Sequence, residues 1–241
     1  MSENIFNSEF LLAGTNKVVR NRSVLAALTN KQSNDDGSLT EEEVKWLERR
    51  AQDGFGIITT AAAFVHLNGK SWNGELGVHS DEMLPGLTDL ASRINSHGAI
   101  SLVQIFHGGM RAPTEITGRT PISSSRNRTK QSSTNFSRAM PETQIREAIQ
   151  WYVDAAIRCH KAGFDGVEIH GAHGYLITQF LGKKTNRRLD EWGGTLRNRS
   201  RFLIEIVRRI REATPRDFVV AVRISPCLLY TSDAADEKVR G

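Results

Sequence analysis

Short apolar runs alternate along the chain with longer stretches in which apolar residues recur every three or four positions. Residues 23–29, 56–60, 100–106, 166–170 and 218–224 are rich in Val, Ile and Leu and bounded by Gly or polar residues, so each predicts a buried strand. Between them the spacing is helical. Thr40 and Glu43 form a capping box ahead of Val44, Leu47 and Ala51. Pro141 suits a first helical turn, after which Ile145, Ala148, Ile149, Tyr152, Val153, Ala156 and Ile157 make one apolar stripe. Leu203, Ile206, Val207 and Ile210 repeat the pattern before the last strand.

Three helix-to-strand junctions share a form: Asp53-Gly54-Phe55-Gly56, His97-Gly98-Ala99 and Ala162-Gly163-Phe164-Asp165-Gly166. In each, a Gly can take the left-handed conformation that closes a helix, and an apolar strand follows. This recurrence predicts parallel pairing and an α/β class. An open doubly wound sheet and a (β/α)8 barrel both answer to it. No G-x-G-x-x-G follows a strand and no P-loop is present, which weighs against the open sheet. The rhythm breaks over residues 108–140, a stretch rich in Ser, Thr, Asn and Arg. In a barrel it would follow the third strand and sit over the active-site face. Its Arg111, Arg119, Arg126, Arg128, Lys130 and Arg138 could attract a phosphorylated nicotinamide, but a solvated loop is the simpler reading.

Composition narrows the class. The 241 residues are 39% hydrophobic and 24% charged, enough for a sizeable core. The formal net charge of +5 comes without a Lys/Arg block or an RNA-binding signature, so it predicts a basic surface and no nucleic-acid partner. Cys159 and Cys227 lack CxxC spacing and predict neither a disulfide framework nor a zinc site, which fits a cytoplasmic protein. No run approaches the roughly 18 apolar residues of a membrane span. Residues 1–10, with Glu3 and Glu9, lack a signal-peptide core.

In barrels the C-terminal strand ends carry the chemistry. Here those ends hold Thr29, Ala61, Gln104, His107, Glu168, His170, His173, Tyr175 and Arg223. Alternation puts Glu168 and His170 on one face and Val167 and Ile169 on the other, with Arg223 opposite Val222 and Ile224. Gln, His and Arg on the same side of neighbouring strands are costly to bury unless paired or bound to a polar ligand. By residue type alone, His170 and His173 with Glu168 also suit zinc or iron, as in a metal-dependent barrel lyase or hydrolase. A structural histidine pair is a third reading, and Tyr175 could be a packed aromatic. Glu168 is expected to partner a barrel Arg, and His107 is ambiguous.

Two blocks carry a family resemblance. The first runs from Phe164-Asp165-Gly166-Val167-Glu168-Ile169-His170-Gly171-Ala172-His173-Gly174-Tyr175-Leu176 through Gln179-Phe180-Leu181. It continues in Asn186-Arg187-Arg188-Leu189-Asp190-Glu191-Trp192-Gly193-Gly194, Asn198-Arg199 and Arg201-Phe202. The second is Gln104-Ile105-Phe106-His107-Gly108-Gly109, with weaker matches from Lys17 to Asn30 and at Val222-Arg223-Ile224-Ser225-Pro226. Together they resemble the Old Yellow Enzyme family of FMN-dependent reductases.

The resemblance implies an α/β TIM barrel, of which residues 1–226 would make about the first five β/α units. It implies FMN as cofactor, NADH or NADPH as reductant, and an α,β-unsaturated carbonyl substrate (an enone or enal) whose C=C bond is reduced. A homo-oligomer is compatible with it. On this reading Thr29 would face the flavin C4 carbonyl, and the Ala61 backbone would approach the ring edge. Gln104 would bond the pyrimidine end, and Arg223 would face the N1/O2 region. Ala27 belongs to the same cofactor-binding set, although many relatives have Pro there. Thr60 stands where an acidic residue is common. His170 and His173 would grip the substrate carbonyl and Tyr175 would donate the proton. Residues 227–241 do not resemble the family and read as a tail of artefactual origin. About 200 residues serve five strands, and 17 residues follow Ile224. The expectation is therefore a truncated barrel that holds FMN weakly and is inactive by itself.

Overall fold

The computed structural model describes residues 5–225, so Cys227 and the 227–241 tail lie outside the described residues. Five parallel strands form one sheet: β1 (Val24–Leu25), β2 (Ile57–Phe64), β3 (Ile100–Phe106), β4 (Gly166–Gly171) and β5 (Val219–Ile224), paired in that order. Helices α1 (Glu41–Gln52), α2 (Leu84–Ser96) and α3 (Glu142–Lys161) connect successive strands. The short α4 (Leu176–Leu181) and long α5 (Leu196–Ala213) lie between β4 and β5. The sheet curls. Arg223 at the end of β5 reaches the Ala27 carbonyl just past β1, at 3.5 Å. Five strands laid flat would set those edges roughly 19 Å apart, beyond the reach of one side chain. This is the first part of a barrel wall, with helices outside.

Alternation along the strands sorts the side chains into two environments. Ile58, Val103, Ile105, Val167 and Ile169 pack outward against Leu47, Leu90, Ile94, Tyr152, Phe202 and Ile206 of the helices. Ile57, Ile100, Leu102 and Val219 point inward at the N-terminal end, where the hairpin of Phe10–Leu11 and Val18–Val19 closes over them. Higher on the same inner face the residues become polar: Gln104, Glu168, His170 and Arg223. Cross-strand register sets Gln104 beside Glu168 and His170 beside Arg223.

Several expectations change in detail. β1 keeps only two of its seven expected residues: among the described residues it pairs with β2 only at Val24–Ile57 and Leu25–Ile58. β2 runs past Thr60 to Phe64 through a bulge: Thr59 pairs with Leu102 but Ala62 with Gln104, so one extra residue is absorbed beside the site. The bulge explains why the small Thr60-Ala61-Ala62 run hides its strand period. The capping box is half made. Thr40 Oγ1 accepts the Glu43 N–H at 3.2 Å, but the Glu43 carboxyl turns inward to Ser33 Oγ and Asn30 Nδ2, where burial raises its pKa. Pro141 is the N-cap of α3 rather than its first helical residue. The three junction glycines do take positive φ, 106° at Gly54, 73° at Gly98 and 89° at Gly163.

The 108–140 stretch is fastened rather than simply solvated. Ile122–Ser123 pairs with Arg138–Ala139. Ser124 Oγ donates to the Gln179 and Thr185 carbonyls, and Asn127 Nδ2 donates to Thr185 O. Arg187 donates to Arg126 O, and Arg188 donates to both Ser124 O and Met140 O. Among the described residues no helix is long and apolar enough to cross a membrane.

Candidate active site

Strand β4 delivers His170 inward at its C-terminal end. The chain then turns sharply, with His173 at φ 56° and Gly174 at φ 74°. Two successive left-handed residues are unusual outside Gly. They bring His173 back over His170, with Nδ1 of the first 3.3 Å from Nε2 of the second and the rings nearly perpendicular at 81°. His170 is buried, and its Nδ1 has no hydrogen-bond partner. Burial, with lesser contributions from His173 and Arg223, lowers its pKa to about 3. Burial also lowers that of His173, helped by Arg223 and Arg111. Both imidazoles are therefore neutral at pH 7 and can donate N–H groups without carrying charge.

Tyr175 follows as the N-cap residue of α4. Its ring lies edge-on to Phe106 with centroids 4.9 Å apart and 5.1 Å from His170. Burial raises the phenol pKa; the nearby Arg111 cation acts in the opposite sense and Glu75 adds to the rise. Below this group, Gln104 Nε2 donates to Glu168 Oε1 at 2.5 Å. Glu168 thus partners Gln104 rather than an Arg. Among the described residues no three His, Cys, Asp or Glu side chains gather as a metal-binding group, so Glu168 does not join the histidine pair.

The structure thus brings His170, His173 and Tyr175 together, above a polar layer containing Gln104 and Arg223. Ala61 is buried in the β2 bulge, where its carbonyl accepts the Thr60 hydroxyl at 2.8 Å, and Thr60 Oγ1 accepts the Gln104 N–H. Ala27 meets the site through its carbonyl. Thr29 lies exposed past the end of β1, and its hydroxyl makes no hydrogen bond among the described residues. His107 resolves as structural. Its Nδ1 accepts the Gly109 N–H at 3.0 Å, so Nε2 carries the hydrogen and donates to Asn68 Oδ1 at 2.6 Å. It is fully buried, with Trp151 stacked against it at 5.6 Å.

Sequence reading missed Trp72 and placed Arg111 only among the basic residues of the loop, without its contacts to His173 and Tyr175. Arg111 donates from Nη1 to the His173 carbonyl at 2.9 Å, with its guanidinium 5.2 Å from the Tyr175 ring centroid. Trp72 stacks on Phe106 at 5.6 Å. Both come from loops, where no periodicity marks a direction. The chance to find Arg111 lay in its position four residues after His107, on the strand-end loop already singled out.

A sequence profile of the NADH:flavin oxidoreductase / NADH oxidase family matches residues 12–238, a span that continues past the boundary expected at 226. The chain is 38% identical over 228 residues to an NADH oxidase of Thermoanaerobacter brockii, covering 94% of this chain and 34% of that protein. It is 37% identical over 228 residues to an NADPH dehydrogenase of Halalkalibacterium halodurans, covering 93% of this chain and 64% of the relative. The solved structure of Old Yellow Enzyme from Pichia sp. AKU4542 superposes with a TM-score of 0.86 at 27% identity, covering 93% of this chain and 60% of that one. The chain thus spans between about a third and two thirds of the length of these relatives. Profile, relatives and barrel geometry agree: the chain belongs to the NADH:flavin oxidoreductase / NADH oxidase family.

Proposed function

We propose that this chain forms the substrate-gripping and ring-binding part of an FMN-dependent NAD(P)H oxidoreductase that reduces the C=C bond of α,β-unsaturated carbonyl compounds. The observation that supports it most is the neutral His170–His173 pair, 3.3 Å apart, with Tyr175 alongside at the C-terminal end of β4.

The inner face suits the isoalloxazine ring. It offers an amide at Gln104, a cation at Arg223, backbone at Ala61 and Ala27, and an orphaned imidazole nitrogen at His170. A buried polar atom without a partner costs about 1–3 kcal/mol, so a polar group placed against His170 Nδ1 would be bound favourably. FMN, when bound, supplies the redox chemistry: a hydride taken from NADH or NADPH and passed to the β-carbon of the substrate. Gln104 would hold a polar edge of the ring. Arg223 would place a fixed positive charge where negative charge develops, without reorganisation at the moment of reaction.

His170 and His173 would exchange their mutual contact for two N–H bonds to the substrate carbonyl oxygen, drawing electron density toward it. Because both are neutral, they polarise by hydrogen bonding and keep their protons. Tyr175 would protonate the α-carbon. A phenol whose pKa is raised stays protonated at neutral pH and available as a general acid.

The test is a titration of the intact enzyme that contains this chain with FMN, followed by NADH or NADPH and then 2-cyclohexenone. Flavin binding, bleaching by the nicotinamide and reoxidation by the enone support the reading. Bleaching without enone-dependent reoxidation would limit the function to nicotinamide oxidation.

A further inference from the structure

We propose that Arg111 is a positioning residue that sets the His173 imidazole and the Tyr175 phenol with one guanidinium, and so ties the substrate grip to the proton donor. This inference rests on the roles given to those two residues above.

Two contacts carry it. Arg111 Nη1 donates to the carbonyl of His173, which stands in the left-handed region at φ 56°. A β-carbon-bearing residue there is held against its own preference. The bond fastens the peptide following that residue, and with it the direction of the imbalanced turn into Gly174. The Arg111 side chain lies directly against this turn: a β-carbon on Gly174 would be in ordinary contact with Nη1, at 3.4 Å. The second contact is the guanidinium over the Tyr175 ring, 5.2 Å from its centroid. A cation near a phenol favours the phenolate and stabilises the negative charge left when the proton departs.

Among the described residues Arg111 makes no ion pair, whereas Arg93, Arg146, Arg188 and Arg208 each hold a carboxylate. Its guanidinium is exposed, so water screens its charge, but no carboxylate among the described residues neutralises it. The groups acting on the Tyr175 phenol are few. Arg111 comes from the loop after β3, Glu75 from the loop after β2, and the neutral His170 ring from β4. Glu75 is buried with one carboxyl oxygen on the Ser71 and Trp72 N–H groups and the other without a partner, and burial raises its pKa well above the carboxylate range. Arg111 is then the principal charge that aids departure of the proton.

The experiment reads the phenol directly and needs no flavin. The tyrosinate absorbance of the chain is followed against pH, and the curve of Tyr175→Phe is subtracted to isolate Tyr175. With Arg111→Gln the tyrosinate fraction on the rising limb is expected to fall roughly threefold, and Arg111→Lys should recover part of it. In the intact, FMN-loaded enzyme that contains this chain, kcat/KM for 2-cyclohexenone should fall about tenfold in Arg111→Gln. It should fall little further when that change is added to Tyr175→Phe, because the two act as one unit. Circular dichroism of each variant checks folding. A tyrosinate curve unmoved by Arg111→Gln, or no Tyr175 step below about pH 12, overturns the proposal. So do losses in the two single variants that simply add in the double. If Tyr175→Phe reduces the enone at the parent rate while the tyrosinate curve still shifts, the proton-donor role fails and the Arg111 contact stands.

Discussion

Acid should unfold this protein through His107, and the structure sets the size of the effect. His107 is fully buried with both ring nitrogens committed: Nδ1 accepts the Gly109 N–H and Nε2 donates to Asn68. Protonating Nδ1 would set a hydrogen against the Gly109 hydrogen. Burial lowers the pKa from 6.5 to about 3. A histidine whose folded pKa is depressed stabilises the fold fully above its unfolded pKa, and that stability is lost as pH falls toward the folded value. At pH 4.5 the unfolded chain gains about 1.36 kcal/mol for each of the two pH units below 6.5, or about 2.7 kcal/mol.

His170, also near 3, adds in the same direction. Glu43 and Glu75, raised by burial, act oppositely, since their stabilising protonated forms are lost as pH rises. These contributions cancel when the parent is compared with His107→Gln. Urea unfolding at pH 7.5 and 4.5 makes that comparison. The variant should be roughly 1–3 kcal/mol less stable at pH 7.5. Its further loss on acidification should be about 2–3 kcal/mol smaller than the parent's. Equal losses would mean that His107 is not held neutral.

Other predictions follow from single contacts. His170→Ala or His173→Ala in the intact, flavin-loaded enzyme should weaken a phenol-type ligand on the order of 10²-fold while sparing flavin reduction by nicotinamide, as stopped-flow traces of the two half-reactions would read. Arg20 donates to the Ala51, Phe55 and His97 carbonyls and so locks the ends of α1 and α2 together. Arg20→Met should cost about 2–4 kcal/mol in urea unfolding. A methyl group on Gly166 would overlap the Val219 backbone, so Gly166→Ala should force β4 and β5 apart at a cost of roughly 1–3 kcal/mol, seen as a lower melting temperature.

The wall of the barrel was legible because its strands are uninterrupted apolar runs: β3 occupies the residues that the pattern marks, 100–106. The polar upper layer was legible for the complementary reason that Gln104, His170 and Arg223 break those runs on one face. Contacts made between loops were not. Thr40 announced a helix start, yet nothing in the order of residues said that Glu43 would prefer Ser33 and Asn30 to closing the cap. Glu168 found Gln104 because parallel register set them side by side, and register is a property of two strands at once. Arg111 touches His173 across 62 positions of sequence, a pairing that only the closed fold defines.

The fastening of residues 108–140 to the segment after α4 bears on how anything enters the site. Four polar side chains, Ser124, Asn127, Arg187 and Arg188, bridge the two stretches through backbone carbonyls on either side. A hinge confined to one stretch would have to break all of these bonds together, a collective step far rarer than a rotamer change. The bonds couple the two stretches, so that one is expected to open only with the other. Amide hydrogens on both stretches should therefore exchange with solvent in one shared opening event, and different exchange rates on the two would show that they open separately.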